Sequence, residues 1–318
     1  MEYVRLSQID KHKLELNSRV YVKALVRNGV FKRTKGDKDY LVIDIADMKC
    51  NESIIIWDTA PPIEKVVDVG YVYNFELLVG EYKGEKQFKW LGMSRNLQED
   101  YTQYVARVEN VDFYIESIEN AFKTLDLNSP VAKITHTLYR RYENEFRIFP
   151  AAKSLHHNLI GGLAMHTACI LKSVARLYQV YTWLDWELLA CIAILHDIGK
   201  IFEYKIDTST GDIGFTPDGS LKGHICMGVV EIEILARELG VSDDIKVLAL
   251  INGVASHHGK LEYGSPVIPY TSEAKMVHAM DSLDGILYRD LSIYENIEKG
   301  EVGVQYLPSG EMTGLFRF

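Results

Sequence analysis

Residues 19–95 contain five short segments in which apolar and polar positions alternate or β-branched residues cluster. Such alternation, with a period of two, predicts half-buried strands. The turn signals KGD, PP and KGE separate several of the segments. Five short strands in about 80 residues favour a small closed barrel over a sandwich, which usually has more strands. The segments are VYVKALV, YLVIDIAD, SIIIWD, YVYNFELLVGEY and KQFKWLGMS.

From residue 98 onwards the apolar positions recur at helical spacing. Residues 98–150 carry two such segments broken by NSP, which predicts a helical connector. Residues 151–291 carry five longer amphipathic segments, which predicts an all-α core. The polar, glycine-rich residues 205–223 interrupt this core and predict a hairpin or flap near the site, and the tail, 292–318, alternates around a PSG turn that is typical of a hairpin. The predicted fold class is therefore multidomain α+β.

The predicted strands of residues 1–97 interleave aromatic and basic side chains. A five-stranded OB-like barrel packs inward residues into its core and leaves outward aromatic residues free to stack bases, while basic residues contact phosphates. Any single aromatic residue is more often part of the core, so the hypothesis of nucleic-acid binding rests on the whole set. The candidate contacts are Arg33, Tyr40, Trp57, Phe88 and Trp90.

Composition and charge narrow the class of protein. The net charge of −9 over 318 residues argues against a protein that coats nucleic acid indiscriminately. Residues 1–97 carry 16 Lys and Arg against 14 Asp and Glu. The remaining residues carry 19 Lys and Arg against 30 Asp and Glu, and this acidic excess favours the binding of cations. The N-terminus lacks the apolar core of a signal peptide, no apolar run reaches the length of a membrane span, and the four cysteines form no CxxC. We therefore expect a cytoplasmic protein with no membrane partner.

The most informative stretch is ELLACIAILHDIGKIFEY, residues 187–204, in which an apolar helix ends in His196 and Asp197. A lone histidine on a helix is usually a core residue, but five histidines at successive spacings of 30, 28, 33 and 1 residues could meet at one centre. Imidazole and carboxylate ligands without thiolate suit manganese, iron, cobalt, nickel or zinc in an open, hydrolytic site. The candidate metal ligands are His166, His196, Asp197, His224, His257, His258 and Asp281.

This order of ligands resembles the HD-domain superfamily of metal-dependent phosphohydrolases. The segments AAKSLHHNLIGGLAMHT, ILHDIGK, GHICMGV and SHHGKLEYGSPVIPYTSEAKMVHAMDSLDG, preceded by an OB-like barrel, are similar to the YhaM-type 3′-to-5′ exoribonucleases of Gram-positive bacteria. The resemblance covers nearly the whole chain. It implies an OB-fold domain at 1–97, a connector at 98–150 and an HD domain at 151–291.

The resemblance also implies the cofactor and the reaction. One or two divalent ions, with Mn²⁺ expected and Fe, Co, Ni or Zn left open, would activate a hydroxide that attacks the terminal phosphodiester of single-stranded RNA. Nucleoside 5′-monophosphates would be released, and short single-stranded DNA would be a secondary substrate. The first ion would be held by His166, His196, Asp197 and Asp281, and the second by His224, His257 and His258 with Asp197 as the bridge.

Four further residues are candidates for catalysis or substrate binding. Lys200, four residues after His196, could stabilise charge on the phosphoryl oxygens. His156 and His157 could protonate the leaving oxygen, bind a phosphate or orient ligands, and Glu262 would shape the rim where a terminal nucleotide sits.

Two other functions stay open at this point. The first is an HD phosphohydrolase of mononucleotides or cyclic dinucleotides with a regulatory OB domain. The second is a nucleic-acid-binding protein without catalysis. Apolar segments in the tail would also allow a homo-oligomer.

Overall fold

The computed structural model describes residues 2–57, 62–63, 66–153, 157–295, 297–306 and 312–318. The chain divides into two compact units. The sheet unit comprises Met1–Arg107 together with Ile206–Asp212, and the helical unit comprises Val108–Lys205 together with Ile213–Phe318. Among the helices of the described residues, none is both long and apolar enough to span a membrane.

The sheet unit contains a six-stranded sheet in the order β1-β2-β3-β4-β6-β5. Most neighbouring strands are antiparallel, but β1 is parallel to β2, and β4 is parallel to β6 at the pair Ile55 and Lys89. β2 also pairs with β5, so each of the five long strands has at least two paired neighbours. Among the described residues the five predicted segments correspond to β2 to β6, whereas the two-residue β1 was not predicted. The strands are β1 (Val4–Arg5), β2 (Arg19–Arg33), β3 (Asp39–Ala46), β4 (Asn51–Trp57), β5 (Val72–Tyr82) and β6 (Glu85–Arg95).

Alternation along these strands places one set of side chains in the core of the sheet unit. In β3, Leu41, Ile43 and Ile45 are fully buried, and in β5 Phe75 and Leu77 are fully buried. The residues between them are more exposed. The pattern in the sequence therefore predicts which face of each strand packs inward.

Nine helices are assigned in the described part of the helical unit. Two of them, α2 and α3, follow α1 in the region predicted as a connector and pack in the same hydrophobic core as the later helices. The helices are α1 (Val111–Phe122), α2 (Pro130–Arg141), α3 (Glu143–Ile148), α4 (Gly162–Tyr178), α5 (Trp186–Leu195), α6 (Lys200–Glu203), α7 (Pro217–Glu238), α8 (Ile245–Ala255) and α9 (Ser272–Tyr294).

Two two-stranded sheets complete the fold. β7 (Tyr204–Asp207) and β8 (Asp212–Phe215) follow α6, and β9 (Val302–Tyr306) and β10 (Met312–Phe316), which pair in the antiparallel direction, follow α9. The polar segment 205–223 thus forms most of the β7–β8 hairpin and the first turns of α7. α7 contains a kink at Gly223, where φ is +71° and ψ is 154°.

The central helix of the helical unit is α5. Asp185 caps its first turn by accepting a hydrogen bond from the N–H of Leu188. Every residue from Leu188 to Leu195 is buried, and the helix packs against α2, α4, α8 and α9. Burial on all sides fixes the helix in place, so the two residues that follow it, His196 and Asp197, begin from a rigid support.

Candidate metal centre

The seven predicted ligands lie on or directly after five helices of the helical unit. His166 lies in α4, and His196 and Asp197 follow α5. His224 is the first residue after the kink in α7. His257 and His258 follow α8, and Asp281 lies in α9.

Asp197 lies at the centre of these residues and is 1% exposed. Its Oδ2 atom is 3.3 Å from His166 Nε2 and 3.4 Å from His196 Nε2. Its Oδ1 atom is 3.6 Å from His224 Nε2 and 3.5 Å from His257 Nε2. The two oxygens of one carboxylate therefore face two different pairs of imidazoles, which is the arrangement of a bridging ligand.

Two candidate cation positions follow from this division. At the first position, His166 Nε2 is 3.2 Å from both Asp281 Oδ1 and His196 Nε2. At the second position, His258 joins His224 and His257, and one ligand atom from each of the three histidines lies within 4.8 Å of the other two. Each position is completed by one oxygen of Asp197.

The hydrogen bonds of three histidines determine their tautomers. Each uses Nδ1 to contact a backbone carbonyl oxygen, which can only accept a hydrogen bond. Nδ1 therefore carries the proton, and in the neutral ring Nε2 presents a lone pair. The bonds run from His196 to Ala193 (2.9 Å), from His257 to Val254 (2.7 Å) and from His258 to Tyr263 (2.8 Å).

The other two histidines use carboxylate acceptors. His166 Nδ1 is 2.8 Å from Asp284 Oδ2, and His224 Nδ1 is 3.2 Å from Glu203 Oε1. Neither carboxylate was among the predicted site residues. The sequence signal that could have found Asp284 is its spacing of one helical turn after Asp281, which places both carboxylates on one face of a helix.

The structure places Lys200 inside the centre. It is the first residue of α6, it is 7% exposed, and its Nζ atom is 2.5 Å from Asp197 Oδ2. Burial acts to raise the pKa of Asp197, but the charges of Lys200 and His196 outweigh it and hold that pKa well below its usual range. Asp197 is therefore a carboxylate at neutral pH.

The pKa of the imidazoles differs between the two positions. Burial, together with His257 and His224, lowers the pKa of His258 to about 4, and burial also lowers the pKa of His224. Both rings are neutral at pH 7 and can act as ligands. At the first position burial opposes protonation of His166, but Asp197 and Asp281 raise its pKa well above the usual range, so a cation that binds there displaces a proton.

The donor atoms fit divalent cations. Asp197 Oδ1, His224 Nε2 and His257 Nε2 are buried and have no hydrogen-bond partner among the described residues. Buried acceptors without a partner are unfavourable, and acceptors that face one another also repel. A cation bound to all three would remove both costs. The ligand set contains imidazole and carboxylate without thiolate, as expected for an open hydrolytic site.

A comparison of the sequence with protein-family models gives an independent result. Residues 164–286 match the HD domain. An HD domain indicates a metal-dependent phosphohydrolase, and hence a hydrolase that uses a divalent metal. The matched range contains all seven predicted ligands, and it also contains Lys200, Glu203 and Asp284.

The remaining predicted residues near the HD domain have different surroundings. His156 lies outside the described residues. His157 is buried, its Nε2 atom is 2.8 Å from Asp284 Oδ2, and its ring centroid is 4.0 Å from that of Tyr288. Glu262 is exposed in a short 3-10 helix, Leu261–Tyr263, which also supplies the carbonyl that accepts from His258.

Four of the five predicted nucleic-acid contacts lie together in the sheet unit. They line an aromatic groove of about 830 Å³, which also contains Lys32, Tyr82 and Lys89. The rings of Tyr40 and Trp57 are 4.9 Å apart, and Trp57 is 53% exposed. Phe88 is largely buried, and Arg33 forms ion pairs with Asp37 and Asp39. The four groove residues are Tyr40, Trp57, Phe88 and Trp90.

Proposed function

We propose that the protein is a metal-dependent 3′-to-5′ exoribonuclease that releases nucleoside 5′-monophosphates from single-stranded RNA, with short single-stranded DNA as a secondary substrate and a cytoplasmic location. The observation that carries the proposal is the Asp197 carboxylate, whose two oxygens face two histidine pairs within an HD domain. Two-cation sites of this kind suit in-line displacement at phosphorus. The aromatic groove of the sheet unit supports RNA as the substrate.

The strand pairing of the sheet unit supports an OB-like barrel. β2, β3, β4, β6 and β5 pair in that order, and β5 pairs again with β2. A ring of five strands fits the five-stranded Greek-key barrel of OB folds, in which the face of the second and third strands binds oligonucleotides. In this chain those strands are β3 and β4, which carry Tyr40 and Trp57.

The residues of the centre would divide the work as follows. His166, His196 and Asp281 with Asp197 Oδ2 would hold one cation, and His224, His257 and His258 with Asp197 Oδ1 a second. Bound divalent cations, with Mn²⁺ as our choice, lower the pKa of water and neutralise charge on phosphoryl oxygens.

Lys200 would add a fixed positive charge beside these oxygens. In the structure its ammonium donates to Asp197 Oδ2, and this contact keeps the carboxylate ionised and oriented. His157 Nε2 donates to Asp284 Oδ2 and does not face Asp197, so we assign His157 to orienting the ligands. Glu262 remains our proposal for the rim of the site.

The aromatic groove would hold the strand. Tyr40 and Trp57 present adjacent rings on which bases can stack, and Lys32 and Lys89 lie in the same groove, where they can contact phosphates. Stacking uses the faces that all bases share. We therefore expect the enzyme to tolerate most sequences.

The test is incubation of single-stranded RNA with the full-length protein and Mn²⁺. RNA labelled at its 5′ end should give a ladder that shortens from the 3′ end, and RNA labelled at its 3′ end should release the labelled mononucleotide first. Asp197→Ala should lower the rate at least about 100-fold, because it removes a ligand of both cations. Asp218→Ala is the matched control, since Asp218 is exposed and pairs only with Lys222 among the described residues.

The outcomes separate this proposal from its alternatives. Internal fragments from the first time point, or unchanged activity of Asp197→Ala, would contradict it. Hydrolysis of free nucleotides or cyclic dinucleotides without any cleavage of RNA would support the phosphohydrolase with a regulatory OB domain. Binding of RNA in Mn²⁺ without cleavage would support a binding protein.

A further inference from the structure

We propose that Asp284 and Glu203 are positioning residues that each control one cation position: Asp284 the position of His166, and Glu203 the position of His224. The inference rests on the proposed use of the centre by two cations. Among the described residues, Asp284 and Glu203 are the only two carboxylates that accept a hydrogen bond from the Nδ1 atom of one of the five clustered histidines.

The acceptors of these histidines fall into two classes. His196, His257 and His258 donate to backbone carbonyls, which the fold itself holds in place. His166 and His224 instead depend on side-chain carboxylates. A charged acceptor fixes the tautomer and makes the opposite ring nitrogen a stronger metal ligand. Each cation position contains one histidine of this second class.

Asp284 orients the first position from the same helix that supplies one of its ligands. It lies one turn after Asp281 in α9, and its Oδ2 atom is 2.8 Å from both His166 Nδ1 and His157 Nε2. The ring of Tyr288, one further turn along, packs on His157. One carboxylate oxygen therefore links α9 to the ligand in α4.

Glu203 holds His224 at two atoms. Its Oε1 atom accepts from the backbone N–H of His224 at 3.1 Å and lies 3.2 Å from the ring Nδ1. His224 follows the kink at Gly223, where a new helical segment begins and its first N–H groups lack partners within the helix. Glu203 therefore fixes both the start of this segment and the orientation of the ring.

The two positioning residues act on separate histidines. Asp284 contacts His157 and His166, and Glu203 contacts His224, so Asp197 is the residue that the two positions share. Removing an outer hydrogen-bond partner of a metal ligand typically weakens metal binding by about 10- to 100-fold. Each substitution should therefore weaken one cation and spare the other.

The experiment measures Mn²⁺ binding to the full-length, metal-free protein by calorimetry, without RNA. His257→Gln and Asp281→Asn serve as backgrounds that damage the second and the first position, respectively. In the His257→Gln background, Asp284→Asn should weaken the remaining tight binding about 10- to 100-fold, and Glu203→Gln should not. In the Asp281→Asn background Glu203→Gln should weaken the remaining tight binding by the same factor, and Asp284→Asn should not.

The control variant is Glu231→Gln, which removes a half-buried carboxylate whose hydrogen-bond partner, Tyr142, is not a ligand. It should leave Mn²⁺ binding unchanged in both backgrounds. The proposal is overturned if Asp284→Asn and Glu203→Gln act equally in both backgrounds. It is also overturned if they lower only the unfolding temperature of the metal-free protein, as a purely structural role predicts.

Failure of this inference and failure of the proposed function are distinguishable. Mn²⁺ binding is measured without any substrate, so it stands even if the protein does not degrade RNA. Conversely, wild-type protein can shorten RNA from its 3′ end whether or not the two carboxylates act on separate positions.

Discussion

At the scale of single residues, the centre depends on how one buried carboxylate is compensated. Asp197 accepts from Lys200 and faces four imidazoles, and it has almost no contact with solvent. A buried charge without compensation costs several kcal/mol. Apart from the histidines, Lys200 is the only positively charged residue that pairs with this carboxylate among the described residues of the metal-free protein.

Lys200→Met should therefore destabilise the metal-free protein more than the metal-bound protein. Breaking a buried ion pair by removing one partner costs about 3–5 kcal/mol, and neighbouring histidines reduce that cost here. Saturating Mn²⁺ should raise the unfolding temperature of the variant by more than it raises that of wild type, since a cation replaces the lost charge. Differential scanning calorimetry with and without Mn²⁺ measures both quantities.

Lys205→Met is the control for this measurement. Lys205 is exposed in β7, five residues further along the chain, and its loss should leave both unfolding temperatures near those of wild type. Equal metal-free unfolding temperatures for Lys200→Met and wild type would show that the ion pair does not support Asp197.

Asp47 gives the sheet unit a stability that depends on pH. Its Oδ2 accepts from the N–H of Ser7 at 2.6 Å, and its Oδ1 accepts from the N–H groups of Lys49 and Cys50. Burial acts to raise the pKa of Asp47, but these hydrogen bonds outweigh it and hold the pKa below its usual range. The ionised carboxylate of Asp47 therefore stabilises the folded protein above the unfolded pKa of about 4, and this stabilisation is lost as pH falls through the lower folded pKa.

Asp47→Asn should test that contribution. The variant keeps one acceptor oxygen and places an NH₂ group where an N–H must be accepted, so it should be less stable than wild type at pH 6. The difference in urea midpoint should narrow as the pH falls from 5 towards 3, because wild type then loses the same hydrogen bonds. A difference that stays constant over this range would contradict the role of the ionised carboxylate.

At the scale of elements, periodicity was sufficient for most strands and helices. The five alternating segments correspond to β2–β6, and the apolar run before His196 corresponds to α5. An element buried on one face has apolar residues at a regular spacing, and an element buried on all faces has a continuous apolar run, so both can be recognised in the sequence. Very short elements contain too few residues to show such a pattern. β1 has two residues, and its pairing with β2 depends on neighbours far along the chain.

The turn between α5 and α6 packs closely against α7. A Cβ atom on Gly199 would lie 1.9 Å from the carbonyl oxygen of His224 and 2.8 Å from the N atom of Gly228. Backbone cannot move aside as a flexible side chain can, so Gly199→Ala must push α7 away from the turn. We expect a loss of about 1–3 kcal/mol of stability or more, together with weaker Mn²⁺ binding because His224 moves.

Gly228→Ala tests the opposite side of the same contact. A Cβ at Gly228 would meet its nearest atoms at 3.4 Å, which is ordinary contact, so this variant should keep most of its stability and its Mn²⁺ affinity. Urea denaturation and calorimetry on the two variants give the comparison. Similar losses in both would mean that general crowding, rather than the position of His224, determines the effect.

At the scale of the whole molecule, the sequence predicts the members of the centre better than their arrangement. Spacing and residue type single out the histidines and Asp197 because those residues interrupt apolar helices. Which oxygen of Asp197 faces which histidine depends on how α4, α5, α7 and α8 pack. Glu203 is an ordinary acidic residue in sequence, and Asp284 is marked only by its spacing of one helical turn from Asp281. Their roles follow from their contacts with His224 and His166.

If the sheet unit holds the RNA and the HD domain cleaves it, damage to the aromatic groove should alter substrate binding without altering the chemical step. Trp57→Ala removes an exposed ring that lies against Tyr40. Loss of one stacked base costs about 1–3 kcal/mol, which corresponds to a rise in KM for RNA of at least about fivefold. The rate on a small chromogenic phosphodiester, which carries no strand of bases to stack, should stay unchanged.

Trp183→Ala is the matched control because Trp183 is an exposed tryptophan, 72% accessible, in the helical unit. It should change neither the KM for RNA nor the rate on the small substrate. Equal loss of both activities in Trp57→Ala would indicate damage to the fold. An unchanged KM in Trp57→Ala would show that the groove does not bind RNA, because deletion of a ring that stacks on a base in the bound complex must weaken that complex.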